Sequence, residues 1–117
     1  MKRGELWWVD PWPRSGSEQR GRRPAIVVSH DSLNGVEGWR SILVVPITTS
    51  KRQAKRHVTT VLLPPAEGGL QRSSVALCHQ VTTLDRGKFI ARIGALSPAT
   101  MGSVDRSLVI ALDLRRP

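Results

Sequence analysis

Cysteine is nearly absent from this sequence, because Cys78 is the only one in the chain. An intramolecular disulfide is therefore excluded, as is usual for proteins of reducing compartments. The histidines His30, His57 and His79 are scattered, and with a single cysteine they do not give the ligand spacing of a structural zinc site. We therefore expect a domain that needs neither a cross-link nor a metal.

Long apolar segments are missing as well. The longest runs, around residues 42–47 and 61–65, are too short to span a bilayer. The charged first residues are not followed by an apolar stretch of signal-peptide length. The sequence predicts a soluble, cytoplasmic protein that makes no contact with a membrane.

Acidic residues are few. The chain has 9 of them against 18 Lys and Arg, which gives a net charge of +9 and a pI near 11.5. Arginine supplies 14 of the 18, and its planar guanidinium can hold a phosphate through two hydrogen bonds. A small basic domain is typical of nucleic-acid binders, although a GC-rich genome would also raise the arginine content.

The length and the pattern of the chain predict one domain over residues 1–117, with a core of modest size. Strands are predicted at 4–10, 24–29, 42–45, 58–63, 75–77 and 90–93, and a turn or one helical turn at 31–35. Trp7 and Trp8 are neighbours on the first strand, so their side chains should point to opposite faces, with one in the core and the other at a dimer interface or partly exposed. Polar loops are expected at 11–23, 48–56 and 64–69.

One amphipathic helix is predicted at the end of the chain. Ser97 is a favourable N-cap, and Pro98 suits the first helical position. Apolar residues then recur at steps of three and four, at Met101, Val104, Leu108, Ala111 and Leu112. Because the strands do not alternate with helices, a doubly wound parallel sheet is disfavoured, and a small antiparallel barrel capped by a helix fits better.

The loop after the first strand is the most informative segment. It contains Gly16-Ser17-Glu18-Gln19-x-Gly21-x-Arg23-Pro24 and is long for a hairpin connection, as functional loops often are. Pro24 restricts Arg23 to an extended backbone, which gives this charged side chain a fixed position at the start of the next strand. A solvated basic loop without function would have a similar composition.

This motif resembles the N-terminal motif of the MazF/PemK toxins, and it follows a strand that ends in Trp-Val-Asp-Pro, as in that family. The segment 46–50, Pro-Ile-Thr-Thr-Ser, resembles the second motif of the family at the end of the third strand. The segment 74–85 resembles its third motif, with Gln80 at a recurrent glutamine. Gly94-x-Leu96-Ser97 before the last helix matches too, so the resemblance covers nearly the whole chain in order.

The resemblance implies a fold that is mainly β with helices, an SH3-like β-barrel with a C-terminal α-helix, usually in a homodimer. It implies a toxin of a type II toxin–antitoxin system that cleaves single-stranded RNA at short sequence sites, with no metal and no cofactor. In that reaction the ribose 2′-hydroxyl attacks the adjacent phosphorus, leaving a 2′,3′-cyclic phosphate and a 5′-hydroxyl end. A cognate antitoxin with an acidic, partly disordered tail is the implied partner.

Four residues match the catalytic positions that the resemblance implies. Arg23 would hold the charged phosphate and could donate a proton, and Thr48 would offer its hydroxyl to a phosphate oxygen. Ser17 would add a hydrogen bond, and Glu18 is the candidate base.

Further residues are predicted to contact RNA. His79 stands where family members often have an acid; it could act as an acid or base, but a role in tuning specificity or no role is favoured. Trp12 could stack on a base or pack on the rim of the barrel, and the basic loop 51–56 could contact RNA or remain a solvated loop. The complete set of predicted RNA-binding residues is Gln19, Trp12, Arg22, Lys51, Arg52, Gln80 and His79.

Two other functions share parts of this pattern. A toxin of the same fold that binds and inhibits DNA gyrase acts through residues near its C-terminus, whereas the motifs of this chain lie elsewhere. A plain SH3-like RNA-binding module would explain the charge but not the joint presence of Arg23, Ser17 and Thr48.

Overall fold

The structure, a computed structural model, describes residues 1–11, 21–50 and 57–114. Seven strands and two α-helices account for most of these residues. The strands are β1 (Glu5–Val9), β2 (Arg23–Val27), β3 (Ser41–Thr48), β4 (Thr60–Leu63), β5 (Ser74–Leu77), β6 (Thr82–Asp85) and β7 (Phe89–Ala95). The helices are α1 (Asp31–Asn34) and α2 (Pro98–Ala111), and short 3₁₀ turns lie at Glu67–Gly69, Cys78–Gln80 and Arg86–Lys88.

The strands form one antiparallel sheet in the order β4-β5-β3-β2-β1-β7. The long strand β3 is its centre, because one edge of β3 pairs with β2 while the other pairs with β6 through its first half and with β5 through Ile47 and Thr48. Within the described ranges β4 and β7 are the two ends of this path and do not pair with each other. The mainly β fold with a C-terminal helix is confirmed, whereas hydrogen-bonded closure of the predicted barrel is not observed here.

Both faces of the central strands are buried, because side chains alternate along each strand. Leu6, Ile26, Val45 and Ile47 point to one face and pack with residues of α2 such as Val104. The opposite face carries a second cluster made of Val9, Ala25, Val27, Ile42 and Val44. The side chains of the continuous apolar run 24–29, predicted as a buried strand, are therefore divided between two separate cores.

The turn after β4 lies against β7 at very short range. A Cβ on Gly94 would collide with the carbonyl oxygen of Gly68, so glycine is required at position 94. Glu67 in the same turn accepts hydrogen bonds from the backbone N–H of Ser97, at 2.8 Å, and from the hydroxyl of Thr100, at 2.9 Å. This carboxylate thus ties the turn to the start of α2.

Helix α2 begins as predicted, with Ser97 as N-cap accepting from the backbone N–H of Thr100 and Pro98 at the first position. Val104 and Leu108 are buried on the sheet, and Met101 packs beside them. The predicted apolar face is wrong at its end, because Leu112 is 51% exposed. Leu112 follows the last helical residue, so the helical periodicity no longer directs its side chain. Among the described residues no helix is both long and apolar enough to cross a membrane.

Two further details depart from the sequence interpretation. Strand β6 was not predicted, since Thr82-Thr83-Leu84-Asp85 contains one apolar residue and none of its side chains is fully buried. Trp7 and Trp8 do point to opposite faces, but neither is fully buried: Trp7 packs edge-on against Phe89, at a centroid distance of 5.9 Å.

Candidate functional site

Arg23 is the first residue of β2 and lies opposite Val9 of β1. Its side chain is exposed, and among the described residues its guanidinium has no hydrogen bond and no ion pair. The following Pro24 continues the strand, so the backbone at Arg23 is fixed by pairing with β1 while its charged group stays available. A guanidinium in this situation can bind an anion without first breaking an internal contact.

Thr48 ends β3, at the end of the sheet where β2 begins with Arg23. The pairing of β2 with β3 runs from Val27 opposite Val44 to Ala25 opposite Pro46, two residues short of Arg23 and Thr48. Side-chain alternation along each strand assigns both residues to the face that buries Ala25 and Val44. Residues 25 positions apart in sequence thus lie at the same end of two neighbouring strands and on one face.

The hydroxyl group of Thr48 is oriented by its own backbone turn. Its Oγ1 accepts a hydrogen bond from the backbone N–H of Ser50 at 3.0 Å. This contact uses a lone pair of the oxygen and leaves the hydroxyl proton for another acceptor. A half-buried hydroxyl donor beside an exposed guanidinium is a suitable pair of groups for a phosphate.

Arg22 lies beside this pair and stacks on Trp8 of β1. The guanidinium carbon is 4.8 Å from the centroid of the indole, within the range of a cation–π contact. The sequence interpretation selected Trp12 as a stacking platform and missed Trp8. Only the register of the sheet could have pointed to Trp8, because it pairs Trp8 with Pro24, the residue directly after Arg23.

His79 and Gln80 lie on the 3₁₀ turn that links β5 to β6, and both are exposed. This turn runs beside the middle of β3, between the residues of β3 that pair with β5 and those that pair with β6. It is therefore displaced from Thr48 by two or three residues along β3, roughly 7–10 Å at the usual rise of a strand. The structure therefore places these two residues outside the Arg23–Thr48 pair.

The remaining predicted site residues, Ser17, Glu18, Gln19, Trp12, Lys51 and Arg52, lie outside the described residues, and their roles stay predictions. In the sequence the first of these segments is followed by Gly21, two positions before Arg23, and the second begins after Ser50, two positions after Thr48.

Other reactive groups do not join this site. Cys78 is buried in the core, and burial raises the pKa of its thiol to about 11, so it is a poor nucleophile. In the described part of the chain, no three His, Cys, Asp or Glu side chains come together as a metal site would require. What the geometry offers is therefore recognition of an anion by a cation and a hydroxyl donor.

Comparison with known proteins identifies the family of this chain. A family profile described as "PemK-like, MazF-like toxin of type II toxin-antitoxin system" matches residues 2–112. Endoribonuclease MazF9 of Mycobacterium tuberculosis is 38% identical over 117 residues, covering 97% of this chain and 98% of that protein. Endoribonuclease EndoA of Bacillus subtilis is 32% identical, covering 97% and 96%. A MazE–MazF structure from Deinococcus radiodurans matches with a TM-score of 0.78 and 29% identity, over 98% of this chain and 97% of that one. This chain belongs to the PemK-like, MazF-like family of toxins of type II toxin–antitoxin systems.

Proposed function

We propose that this chain is an endoribonuclease that cleaves single-stranded RNA at specific short sequences, as the toxin of a type II toxin–antitoxin system. The observation that carries the proposal is the position of Arg23 and Thr48 at the same end of two neighbouring strands and on one face of the sheet, in a chain whose relatives are named endoribonucleases. The net charge of +9 supports a polyanionic substrate.

The reaction begins with attack of a ribose 2′-hydroxyl on the adjacent phosphorus. Negative charge develops on the non-bridging oxygens, where the Arg23 guanidinium and the Thr48 hydroxyl donate hydrogen bonds. Glu18 accepts the proton of the 2′-hydroxyl, Ser17 adds a hydrogen bond, and Arg23 supplies a proton to the departing 5′-oxygen. The products are a 2′,3′-cyclic phosphate and a 5′-hydroxyl end, and no metal ion takes part.

RNA bases on either side of the cleaved bond need stacking and polar partners. The Arg22–Trp8 stack presents a flat cationic surface that suits an unpaired base, at the strand end where Arg23 lies but on the other face of the sheet. Gln80 and His79 lie near enough to contact a neighbouring nucleotide. Gln19, Trp12, Lys51 and Arg52 complete the proposed contact set.

Three further properties belong to the same proposal. The D. radiodurans relative was solved as a MazE–MazF complex, and we infer that an antitoxin of net negative charge covers the basic surface of this chain. We also infer a homodimer and a cytoplasmic location, since both the toxin and its RNA substrate would act there.

The test is a cleavage assay with purified protein, a long single-stranded RNA and EDTA, with new ends mapped by primer extension. Arg23→Ala should abolish cutting, and Arg23→Lys should lower the rate by about 10²–10³ because the charge remains but the bidentate fork is lost. Arg40→Ala is the matched control, because it also removes one exposed arginine, but at the far end of β3, roughly 25 Å from Thr48.

A second pair of variants tests Thr48. Thr48→Val removes the hydroxyl and keeps the shape, so it should slow cleavage, while Thr48→Ser should retain most of the rate. Full activity of Arg23→Lys and Thr48→Val would refute the assigned roles. If folded wild-type protein cuts none of several RNAs, a toxin that inhibits a protein target by binding replaces the proposal.

A further inference from the structure

Arg72 is, like Arg23, an exposed arginine whose side chain has no partner among the described residues, and the roles assigned above do not include it. It lies in a bend two positions before Ser74, the first residue of β5. The hydroxyl group of Ser74 donates a hydrogen bond to the carbonyl oxygen of Arg72 at 2.8 Å. The backbone of Arg72 is thus tied to the start of a strand, while its guanidinium stays available for an anion.

The pairing of the sheet places Arg72 close to Thr48. Val75 pairs with Thr48, and the Cα atoms of such an antiparallel pair are about 4.5–5.5 Å apart. Arg72 precedes Val75 by three residues, which span at most about 10–11 Å. The Cα atoms of Arg72 and Thr48 therefore lie no more than about 16 Å apart, and the long arginine side chain can bring its charge closer to the Thr48 hydroxyl.

Arg72 and Arg23 flank Thr48 from opposite sides. In the order of the sheet, β5 lies on one side of β3 and β2 lies on the other. Two strand spacings, about 9–10 Å, therefore separate the strands that begin at or just after these two arginines. Cations this far apart suit different phosphate groups of one RNA strand, with Arg23 beside the bond that is cut and Arg72 beside a neighbouring nucleotide.

We propose that Arg72 binds a backbone phosphate of the RNA next to the one that is cut, and so adds to the affinity without taking part in the chemistry or in the choice of bases. This inference rests on the proposed function for its substrate. A phosphate contact attracts every RNA sequence alike, because the charge is the same at each nucleotide. Arg72 therefore holds the strand in place while Arg23 and Thr48 act on the reacting phosphate.

Steady-state kinetics separate this role from catalysis. Arg72→Ala should raise KM about three- to tenfold at about 50 mM salt and leave kcat unchanged, since it removes binding that the substrate and the transition state share. Arg72→Lys should stay within about twofold of the wild type, because a point charge suffices for one exposed phosphate contact. A fall in kcat at unchanged KM, or no effect on either constant, would overturn the proposal.

The dependence of KM on salt provides a second measure. Loss of one phosphate contact lowers the slope of log KM against log salt by about 0.7 for a single strand, so the difference between Arg72→Ala and the wild type should shrink about 2.5-fold from about 50 to about 200 mM salt. Arg40→Ala is the matched control, because it also removes one exposed arginine but lies at the other end of β3. An equal change in both variants would show only an effect of net charge and refute the contact.

The phosphate itself is identified with RNA oligonucleotides that contain one cleavage site and one uncharged methylphosphonate linkage, moved through the positions that flank the cut. In the wild type, neutralising the linkage that Arg72 contacts should raise KM. In Arg72→Ala the same replacement should have no further effect, whereas replacements elsewhere should affect both proteins alike. Circular dichroism of both variants checks that they fold. If no flanking linkage couples with Arg72, the proposal is wrong.

A failure of the proposed function is recognised separately. If the wild-type protein binds these oligonucleotides without cutting them, the same comparisons are made with Kd measured by fluorescence anisotropy. A coupled linkage would then retain Arg72 as a phosphate contact in a protein that is not a ribonuclease. If the wild type cuts RNA but no linkage couples with Arg72, only this inference fails, and if it binds no RNA, both fail.

Discussion

The side chain of Arg86 should contribute more to stability than the exposed arginines around it. Its Nε donates to the carbonyl of Trp39 at 2.9 Å, and its Nη2 donates to the carbonyls of Asn34 and Val36, both at 3.0 Å. A longer contact of 3.4 Å reaches the carbonyl of Leu33. The guanidinium thus satisfies the free carbonyls at the end of α1 and in the segment that leads to β3.

The magnitude follows from these contacts. Each of the three well-formed hydrogen bonds contributes about 1 kcal/mol. Because water replaces some of these contacts, Arg86→Ala should lower the free energy of unfolding by roughly 2–3 kcal/mol. In a domain of this size that lowers the melting temperature by about 8–12 °C. Arg86→Lys keeps the charge but cannot reach carbonyls on both sides, so it should recover only about 1 kcal/mol.

Urea unfolding followed by circular dichroism, at one fixed protein concentration, measures these differences. Arg40→Ala serves as control, because Arg40 is nearby and exposed, and its side chain bonds only Asp85 among the described residues. Its effect should be clearly smaller than that of Arg86→Ala. If Arg86→Lys were as stable as the wild type, the charge rather than the fork geometry would explain the role of Arg86. If Arg86→Ala lost less than about 0.5 kcal/mol, the carbonyl contacts would not be stabilising.

Three further predictions concern Glu67 and Gly94, tested by urea unfolding, and Cys78, tested by its rate of alkylation. Hydrogen bonds from the start of α2 lower the pKa of Glu67, so the ionised carboxylate stabilises the fold fully above its pKa in the unfolded chain, about 4.3, and less as the pH falls. Glu67→Gln should therefore be less stable than the wild type at pH 7, and this difference in the free energy of unfolding should disappear towards pH 3. Gly94→Ala should cost about 1–3 kcal/mol because the new Cβ meets the carbonyl of Gly68, whereas Gly38→Ala, with nothing within 4 Å, should not destabilise. With its pKa raised to about 11 by burial, Cys78 should react with iodoacetamide at pH 8 about 100-fold more slowly than after unfolding, and equal rates would contradict its burial.

The fold could be predicted wherever the sequence shows one strong local signal. The apolar run 24–29 and the Ser97-Pro98 start of the last helix were located correctly, since burial and capping act on neighbouring residues. Strand β6 could not be predicted, because its formation depends on pairing with β3 rather than on its own side chains. The prediction that Leu112 belongs to the buried face of the helix was wrong for a related reason. Periodicity shows where an apolar face would continue but does not show where the helix ends.

The candidate site was predicted in part. The motifs identified Arg23 and Thr48 singly, but only the pairing of β2 with β3 shows that they lie at the same end of neighbouring strands. The hydrogen bonds of Thr59 could not be predicted, since a lone threonine in an apolar strand is ordinary. His57 and His79 meet the same hydroxyl only in the folded chain.

The arginines of the described chain fall into two groups, and this division connects the charge of the protein to its function. Arg3 and Arg86 hold backbone carbonyls, while Arg40 and Arg92 pair with carboxylates, so each of these cations has an internal partner. Among the described residues the side chains of Arg23 and Arg72 have none, and of these two only Arg23 begins a strand whose backbone is firmly paired. An exposed cation on a rigid support offers full attraction to a phosphate at little cost in conformational entropy. The excess of positive charge therefore indicates a polyanionic ligand in general terms, and the combination of an unpartnered guanidinium with a paired backbone indicates that Arg23 binds it most directly.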